Sequence, residues 1–400
     1  MSPSLPTCLV CKSNRVNSLY HAADVPLVPN APLAETQLND ELFATLDIVS
    51  CATCGLVFNA AFDASLIDKI YTDNYSSGVS RSAENTRRYD EMITDIIAPQ
   101  NVAGKTVVEI GASDFAFSEL MLSHGARRII AFEPSNLFTT TTQNIVHVPT
   151  FFDTQAVPGG MHNVDLIVMR HVLEHLPDPV HSLQRIAGAA SSGMMIYIEV
   201  PNVQDVIGQH RFYDFFYEHV TYWSPSLLSK LMECLGFKTV TVRDLANGQH
   251  FGVLCRKVSQ RDMVLADIAW PAVAYNGKQL ATSTKHYLGG LESAIKSYKK
   301  VAIYGAGNHG LGIASCLHFG PQGATCILDS NAMKHGKYAP KSHIPILKPT
   351  HDLVATLDAI FVIAPLHQAE ICAFITDKLH FVGDLWRTYP TVELCSGKQE

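Results

Sequence analysis

Four cysteines near the start of the chain occur as two identically spaced pairs. Cys8 and Cys11 form one C-x2-C pair, and Cys51 and Cys54 form the second after 39 intervening residues. Two residues between cysteines let both thiolates of a tight turn face one tetrahedral ion at roughly 2.3 Å. Because four thiolates leave no position for water, we expect a structural zinc ion. Two reducible disulfides or unligated thiols are the alternative, and the separation of the pairs exceeds common zinc-ribbon spacing.

A second group of residues has the order and spacing of a nucleoside-binding turn. Gly111 ends one strand-like run, and Glu133 ends the next run 22 residues later. Glycine lets the backbone pass close to a ligand, and a carboxylate at the tip of the second strand can bind both hydroxyls of a ribose. The turn has Ser113, Asp114 and Phe115 where a pyrophosphate site needs glycines. S-adenosylmethionine (SAM), which has a ribose and no phosphate, suits this turn; an ordinary turn and a solvated helix-capping acid are the alternative.

The segment 210–224 concentrates aromatic and ionisable residues. Seven aromatic residues, two histidines, Asp214 and Glu218 fall within fourteen positions. Because parallel sheets bind ligands beyond the carboxyl ends of their strands, we expect this segment to lie over the reacting group. His219 can remove a proton near pH 7, and the adjacent Glu218 can raise its basicity. The alternative is an aromatic lid with a packed, hydrogen-bonded histidine.

A complete G-x-G-x-x-G motif lies near residue 300. Gly305, Gly307 and Gly310 follow an apolar run, and Asp329 ends the next strand-like run. Read alone, this pattern predicts a NAD or NADP site. The motif is weak support by itself, since an oxidoreductase would leave the Gly111 turn unexplained.

The elements that would position these residues form two α/β patterns. Between residues 105 and 200, apolar runs alternate with helical stretches, which indicates a parallel sheet covered on both faces. Asn247-Gly248 between two later strands is typical of a hairpin and predicts an antiparallel pair at the end of the sheet. The predicted strands are 106–111, 128–133, 145–152, 164–171, 194–200, 237–242 and 250–256. We therefore predict a zinc-binding module at 1–66, a doubly wound α/β domain at 67–258, and a helical connector with a Rossmann-like domain at 259–400.

Composition narrows the functional classes. The 400 residues are 47% hydrophobic and carry 37 acidic against 30 basic side chains. The net charge of −7 argues against a nucleic-acid partner, because duplex affinity comes mainly from lysine and arginine at phosphates. No apolar run approaches the roughly 20 residues that span a bilayer, and the first residues lack the pattern of a signal peptide. We therefore expect a cytoplasmic protein without a membrane partner.

Residues 84–258 resemble a class I SAM-dependent methyltransferase, whose seven-stranded sheet has an antiparallel last strand. The resemblance rests on the Gly111 turn, Glu133, the closing hairpin and the segment 170–179, which in such enzymes lines the methionine end of SAM. It implies a cofactor site with Phe152 and Asp153 beside the adenine. The implied cofactor-binding residues are Glu109, Gly111, Ser113, Asp114, Glu133, Phe152, Asp153 and His171.

Over residues 5–390 the chain resembles the nucleotide-sugar C-methyltransferase family. The resemblance rests on the four cysteines, the phrase Glu199-Val-Pro-Asn202, the phrase Tyr217-Glu-His219 and the Rossmann-like end, and Tyr75-Ser-Ser77 and residues 336–346 extend it. That family methylates carbon 3 of dTDP-4-keto-6-deoxy sugars in antibiotic-sugar biosynthesis. The resemblance also implies a C-terminal domain that helps to hold the nucleotide sugar without a nicotinamide.

Position by position, the resemblance implies roles for individual residues. His219 becomes the base with Glu218 beside it, His175 is a further catalytic histidine, and a family tyrosine falls on Tyr75 or Tyr71. Family members commonly read Tyr-His-Glu-His where this chain has Phe216-Tyr217-Glu218-His219, so a phenol and an imidazole are lost. The implied substrate-binding residues are Tyr71, Asn202, Tyr217, Tyr222, Lys334, Tyr338 and His343, the last three at the diphosphate or base unless they belong to a solvated basic loop.

We therefore expect a cytoplasmic SAM-dependent C-methyltransferase with a structural zinc, a nucleotide-sugar substrate and a monomeric or weakly dimeric state. In this hypothesis His219 removes a proton from a carbon beside a ketone, and the enolate attacks the sulfonium methyl in line. Tyr75, Tyr222 or His175 would donate to the enolate oxygen. A SAM-dependent methyltransferase of a hydroxyl, amine or carboxylate on a non-sugar metabolite is one alternative. An NAD(P)-dependent oxidoreductase that uses the Gly305 loop is the other.

Overall fold

The chain divides into two compact units. The computed structural model describes residues 6–29, 31–66, 83–135, 137–140, 142–259, 268–271, 273–317, 324–365 and 367–396. The first unit comprises residues 1–18, 48–205 and 219–275, and the second comprises 19–47, 206–218 and 276–400. This division differs from the predicted boundaries near 66 and 258, because residues 19–47 and 206–218 group with the C-terminal part of the chain.

Strands and helices alternate through most of the described residues. The strands are β1 (Val16–Pro26), β2 (Phe43–Cys51), β3 (Val57–Asn59), β4 (Thr106–Ile110), β5 (Arg128–Phe132), β6 (Ile145–Val148), β7 (Leu166–Arg170), β8 (Met195–Pro201), β9 (Thr221–Tyr222), β10 (Phe237–Leu245), β11 (His250–Lys257), β12 (Val301–Tyr304), β13 (Ala324–Leu328), β14 (Ile346–Leu347), β15 (Ala359–Val362), β16 (Asp384–Arg387) and β17 (Glu393–Ser396). The helices are α1 (Ala83–Glu91), α2 (Ala116–Ser123), α3 (Pro179–Ala189), α4 (Val203–Gly208), α5 (Pro225–Cys234), α6 (Gly277–Lys296), α7 (Asn308–Cys316), α8 (His351–Val354) and α9 (Gln368–Asp377). Within the described ranges, no helix combines the length and apolarity that a membrane crossing needs.

A seven-stranded sheet forms the centre of the first unit. Its strand order is β10-β11-β8-β7-β4-β5-β6. Strands β4 to β8 run parallel, whereas β11 is antiparallel to both of its neighbours, β8 and β10. The structure confirms the α/β class I methyltransferase fold and adds that the last strand inserts between β8 and β10. In this topology the carboxyl ends of β4, β5, β7 and β8 meet at one edge of the sheet.

Local sequence explains where most of these elements begin and end. All five residues of β4 are buried, as a central parallel strand requires. Ser224 caps α5 by accepting a hydrogen bond from the backbone N–H of Leu227, and Pro225 occupies the first helical position. The predicted third strand is shorter than expected: β6 ends at Val148 because Pro149 cannot donate to the ladder.

A second sheet contains strands that the sequence analysis did not predict. Its order is β1-β2-β3-β9. Strand β3 pairs antiparallel with β9, with Val57 opposite Tyr222 and Phe58 opposite Thr221. The short β9, which follows His219, is therefore held by a strand that begins three residues after Cys54.

The second unit contains a six-stranded sheet of order β14-β13-β12-β15-β16-β17. All pairs are parallel except β16 with β17. The structure confirms a second α/β pattern opening at Val301, in which α7 follows β12 through the glycine motif. Helix α6, capped by Asn276, occupies the predicted helical connector.

The aromatic residues of segment 206–218 pack inside the second unit. The ring of Phe212 lies 6.1 Å from that of Tyr20 and 5.9 Å from that of Tyr287 on α6. Tyr213 also packs against Tyr287, and its ring lies 5.3 Å from that of His309 on α7. These aromatic side chains are therefore core residues of the second unit.

An ion-pair network anchors the same segment. The Arg211 side chain is 1% exposed, and its Nε donates to Asp214 Oδ2 at 2.7 Å. Asp214 Oδ1 lies 2.6 Å from His309 Nε2. Burial alone would raise the pKa of Asp214, but His309 and Arg211 hold it well below its usual range. The carboxylate therefore links segment 206–218 to the first turn of α7.

We predict that Asp214→Asn destabilises the second unit by roughly 3–5 kcal/mol at pH 7, because it removes a negative charge that pairs with the buried Arg211 and with His309. Since folding lowers the pKa of Asp214, its contribution is fully present above the unfolded value of about 3.9 and is lost as the pH falls through the folded value. The difference from wild type should therefore stay constant from about pH 7 to 5 and shrink below about pH 4. Urea unfolding, with hydrogen exchange of α7, measures both effects.

Asp352→Asn is the matched control, since the Asp352 side chain is fully exposed. It should change stability by less than about 1 kcal/mol. Equal stability of wild type and Asp214→Asn at pH 7 would contradict the anchoring role.

Candidate active site

Gly111 turns the chain sharply between β4 and α2. Its φ is +75°, and a Cβ at this position would lie 2.5 Å from Cγ2 of Val172. A larger residue would therefore be strained and would collide with the segment after β7. Ser113 and Phe115 also have positive φ values, of 50° and 62°. The turn is tightly curled, with its backbone at the carboxyl edge of the sheet.

Glu133 follows β5 at the same edge and contacts this turn. Its Oε2 accepts a hydrogen bond from the backbone N–H of Ser113 at 2.8 Å, and its Oε1 accepts one from Ser135 at 2.9 Å. Each carboxylate oxygen keeps a further lone pair that can accept a hydroxyl hydrogen. The two residues that the sequence analysis combined are therefore brought into one turn, with the carboxylate already oriented.

Glu109 lies beneath this turn in a buried charged network. Its carboxylate accepts a hydrogen bond from Ser118 Oγ, and its Oε1 lies 3.9 Å from Nη1 of Arg170. Burial raises the pKa of Glu109 to about 7, against the opposing effects of Arg170 and Ser118. The guanidinium of Arg170 in turn covers the rings of Tyr89 and Phe117 at 4.2 and 4.4 Å.

His171, directly after β7, joins two buried carboxylates. Its Nε2 lies 3.1 Å from Glu199 Oε1, and its Nδ1 lies 3.4 Å from Glu174 Oε1. Burial would lower the pKa of His171, but the two carboxylates outweigh it and raise that pKa to about 9. Burial would raise the pKa of Glu199, but His171 and Arg170 lower it to about 2. At neutral pH the pair is therefore an imidazolium and a carboxylate.

The predicted catalytic histidines come together although they are 44 positions apart in the sequence. The rings of His175 and His219 meet edge to face with centroids 4.7 Å apart, and the ring of Tyr222 lies 5.6 Å from that of His219. The sequence analysis missed a third member, Glu174, which offers a carboxylate oxygen within 4.8 Å of a ring nitrogen of each histidine. The sequence feature that could have indicated Glu174 was its position next to His175, in the segment after β7.

Other predicted site residues have mixed surroundings. Asn202 donates through Nδ2 to the carbonyl of Gly248 and accepts through Oδ1 from the backbone N–H of Gln204, so its amide caps local backbone. Tyr217 and Glu218 are buried and belong to the second unit. Tyr71 and Tyr75 lie outside the described residues. Substrate contacts by these residues stay predictions.

The two residues predicted beside the adenine lie beyond the end of β6. Phe152 packs edge-on against Phe132 with ring centroids 5.0 Å apart. The carboxylate of Asp153 accepts from the backbone N–H of Gln155 at 2.8 Å and pairs with Arg185 on α3 at 2.6 Å. Both side chains are held by contacts within the first unit.

The four paired cysteines converge on one point. Cys8 and Cys54 place their sulfurs 3.5 Å apart, as do Cys11 and Cys51, and all four sulfurs lie within 4.8 Å of one another. Disulfide sulfurs would be about 2.05 Å apart, whereas ligands of a tetrahedral ion at about 2.3 Å are about 3.8 Å apart. The geometry fits a tetrahedral metal site and excludes disulfides in this arrangement.

The electrostatics of the sulfurs favour a bound cation. Hydrogen bonding to Cys51 and burial raise the pKa of Cys8 to about 12, and neighbouring sulfurs and burial raise the pKa of Cys54. Hydrogen bonds from Cys54 and Cys8 lower the pKa of Cys51. Because four buried thiolates repel one another, ionisation of all four favours a bound divalent cation.

The loop that carries the glycine motif of the second unit is held by contacts with other parts of the protein. A Cβ on Gly310 would lie 1.8 Å from the carbonyl oxygen of Gly305, so glycine is needed for close packing of α7 on the turn. Asp329 Oδ2 accepts from the backbone N–H of Ala306 at 2.7 Å and lies 3.6 Å from Nζ of Lys334, which donates to the Ala306 carbonyl. The predicted ligand group Lys334 is therefore paired with the acid that a dinucleotide site would use for its ribose.

The remaining predicted substrate residues lie in a loop bound to the segment 31–41. His343 Nε2 lies 2.9 Å from Glu41 Oε2, and both oxygens of that carboxylate accept from the backbone N–H of Lys341. The backbone of Tyr338 bridges Leu33 and Pro345. The loop is thus ordered by its own ion pair and backbone bridges.

The chain matches known proteins over both of its α/β sheets. Residues 82–242 match a methyltransferase domain, and residues 273–385 match the C-methyltransferase C-terminal domain. The chain is 22% identical over 369 residues to the C-methyltransferase NovU of Streptomyces niveus. This match covers 86% of this chain and 85% of that protein.

Solved methyltransferase structures also match part of the chain. The N-methyltransferase NodS of Bradyrhizobium japonicum is 15% identical, with 45% of this chain and 100% of that chain covered and a TM-score of 0.34. The 1,6-didemethyltoxoflavin-N1-methyltransferase of Burkholderia thailandensis, solved with S-adenosylhomocysteine, is 15% identical, with 44% and 78% covered and a TM-score of 0.33.

Proposed function

Because the chain belongs to the SAM-dependent C-methyltransferases, we propose that it methylates a carbon beside a ketone, at C-3 of a nucleotide-linked 4-keto-6-deoxy sugar. The observation that carries this proposal is the pairing of His219 with His175 and Glu174 in the first unit. Carbon methylation needs a base that first removes a proton, whereas transfer to an amine can use an existing lone pair. A buried histidine, His219, beside the half-buried His175 is suited to that task.

In the proposed mechanism, SAM supplies an electrophilic methyl group on a sulfonium. Neutral His219 accepts the proton from the carbon beside the ketone, and the electron pair of the broken C–H bond passes into an enolate. SAM, held by Glu133 and the turn at Gly111, would supply the methyl group that the enolate carbon takes up. Tyr222 and His175, which lie beside His219, donate to the enolate oxygen and lower the energy of the charge that develops there.

The cofactor would lie along the carboxyl edge of the first sheet. Glu133 would accept the ribose hydroxyls with its remaining lone pairs, and the tight turn at Gly111 would let the backbone approach the nucleoside. Asp114 and His171 would face its charged amino-acid end. Lys334 and His343 would bind phosphate of the nucleotide by exchanging their present carboxylate partners for it.

We infer that the four cysteines hold one structural zinc ion. The support is the sulfur spacing, the burial of all four side chains and the cost of keeping four thiolates together without a cation. Four sulfur ligands leave no open position, so the ion would take no part in proton or methyl transfer.

We predict about one zinc per chain, and its loss in Cys51→Ser with unfolding of the N-terminal module, because structural zinc contributes folding free energy directly. Metal analysis by mass spectrometry and hydrogen exchange of β2 and β3 measure the two effects. Cys395→Ser, outside the cluster, should keep the metal. A natively folded protein that purifies without metal would contradict the zinc site.

We predict that Glu133→Ala weakens SAM binding by roughly 1.5–3 kcal/mol, the usual contribution of hydrogen bonds to a charged acceptor. Isothermal titration with SAM measures the change. Glu133→Gln, which keeps one acceptor oxygen, should lose less, and Glu233→Ala on α5 should match wild type. If Glu133→Ala binds SAM as wild type does, the ribose lies elsewhere.

We predict that His219→Ala keeps SAM affinity near wild type but lowers turnover roughly 10²–10⁴-fold, the usual contribution of a positioned general base. The assay uses dTDP-4-keto-6-deoxyglucose and SAM, with mass spectrometry of the product. Hydrogen exchange at C-3 in deuterated water, measured with S-adenosylhomocysteine in place of SAM, should fall in parallel.

The exposed His181 on α3 provides the matched control, and His181→Ala should retain full rates. Wild-type protein that methylates an oxygen or nitrogen and never exchanges a carbon-bound hydrogen would refute the C-3 assignment. Full exchange in His219→Ala would assign the base to another group.

A further inference from the structure

Within the described part of the chain, the carboxyl group of Glu174 is buried without the hydrogen bonds that a buried polar group usually makes. It is 1% exposed, and among the described residues neither carboxylate oxygen accepts a hydrogen bond. Burial of an ionised carboxylate is unfavourable unless cations lie close by. A buried carboxylate in this state points to neighbours that are, or that become, positively charged.

Three imidazole rings surround this carboxylate. His171 Nδ1 lies 3.4 Å from Oε1, on the side of β7. His175, the next residue in the chain, and His219, which precedes β9, each have a ring nitrogen within 4.8 Å. The backbone N–H of Val220 donates to the carbonyl of Glu174 at 2.7 Å, which fixes the two segments to each other.

His171 already forms an ion pair with a second carboxylate, whereas His175 and His219 are the rings with proposed catalytic roles. His171 also pairs with Glu199, which contacts Arg170, and the ring of His250 packs against it at 4.7 Å. Among these rings, His219 and His175 are therefore the ones whose charge can change during turnover without breaking the pair with Glu199.

We propose that Glu174 is a positioning residue that acts through His219, stabilising the imidazolium formed when this ring accepts the proton of the substrate. The proposal rests on the proposed function and deepens it. The proton moves from carbon to the His219 nitrogen, the electron pair stays with the enolate, and no proton passes to Glu174. A nearby anion raises the basicity of an imidazole and holds the ring in one orientation.

Glu174→Gln tests this role because it removes the charge and keeps the size of the side chain. With dTDP-4-keto-6-deoxyglucose, we expect turnover and deuterium exchange at C-3 to fall together, roughly 10–100-fold, while SAM affinity stays near wild type. The acidic limb of the rate profile should move to lower pH, because an imidazole without its counter-ion is a weaker base. Glu233→Gln, an exposed glutamate on α5, should change none of these readings.

Two results would overturn the proposal: an unchanged acidic limb with unchanged exchange, or a loss of SAM binding as large as the loss of turnover, which a structural role would produce. If Glu174→Gln does not fold, Glu174→Asp is the second test, because its side chain is one methylene shorter and its carboxylate lies farther from the imidazole rings. It should lower exchange roughly 3–10-fold and move the limb in the same direction. An unchanged limb in folded Glu174→Asp would equally overturn the proposal.

A substrate-free measurement separates this role from the sugar assignment. The ¹⁵N imidazole signals of His175 and His219 are assigned with the variants His175→Gln and His219→Gln. In Glu174→Gln, the pH titrations of these signals should have lower midpoints than in wild type. Unchanged midpoints would refute the role of Glu174, whatever the substrate. Shifted midpoints in a protein that never exchanges the keto sugar would support Glu174 and refute the sugar.

Discussion

A set of buried carboxyl groups at the carboxyl edge of the first sheet is the constraint on which the candidate site depends. Glu109, Glu174 and Glu199 are each at most 2% exposed and lie within one chain of contacts. Arg170 and His171 lie against these carboxyl groups. The carboxylates raise the pKa of His171, and Arg170 and His171 lower the pKa of Glu199. Because each carboxylate shares a cation with another, the edge is a coupled set in which a change at one position is felt at the next.

The cysteine cluster contributes to the same edge through the small sheet. Cys51 ends β2, Cys54 lies in the following turn, and β3 begins three residues later. Strand β3 then pairs with β9, which places Tyr222 and the residues just before it. An ion bound by the cysteines, as proposed above, would therefore help to order the segment that carries His219, because β3 follows the cluster and pairs with β9.

The second unit shows how a nucleotide-binding motif can be used for packing. Its glycines allow α7 to approach β12, its acidic residue is paired with Lys334, and its His309 pairs with Asp214. These contacts explain why the dinucleotide motif is compatible with a match to a C-methyltransferase C-terminal domain. The sheet is Rossmann-like, but the fold alone does not determine which ligand is bound. Ligand binding depends on which side chains and backbone groups can contact a ligand.

The amino-acid sequence alone determined the features that depend on short-range spacing. The cysteine pairs, the turn at Gly111 with Glu133, the capped helix at Ser224 and both α/β patterns follow from local geometry and from the burial of parallel strands. The tertiary structure alone decided which distant charges meet. Glu174 beside His219, Asp214 beside His309 and the pairing of β3 with β9 join residues that are far apart in the chain, and nothing in local spacing encodes such contacts. It also placed the aromatic residues 212–217 in the second unit, because an apolar side chain can be buried by any available core, and the sequence pattern does not say which core that is.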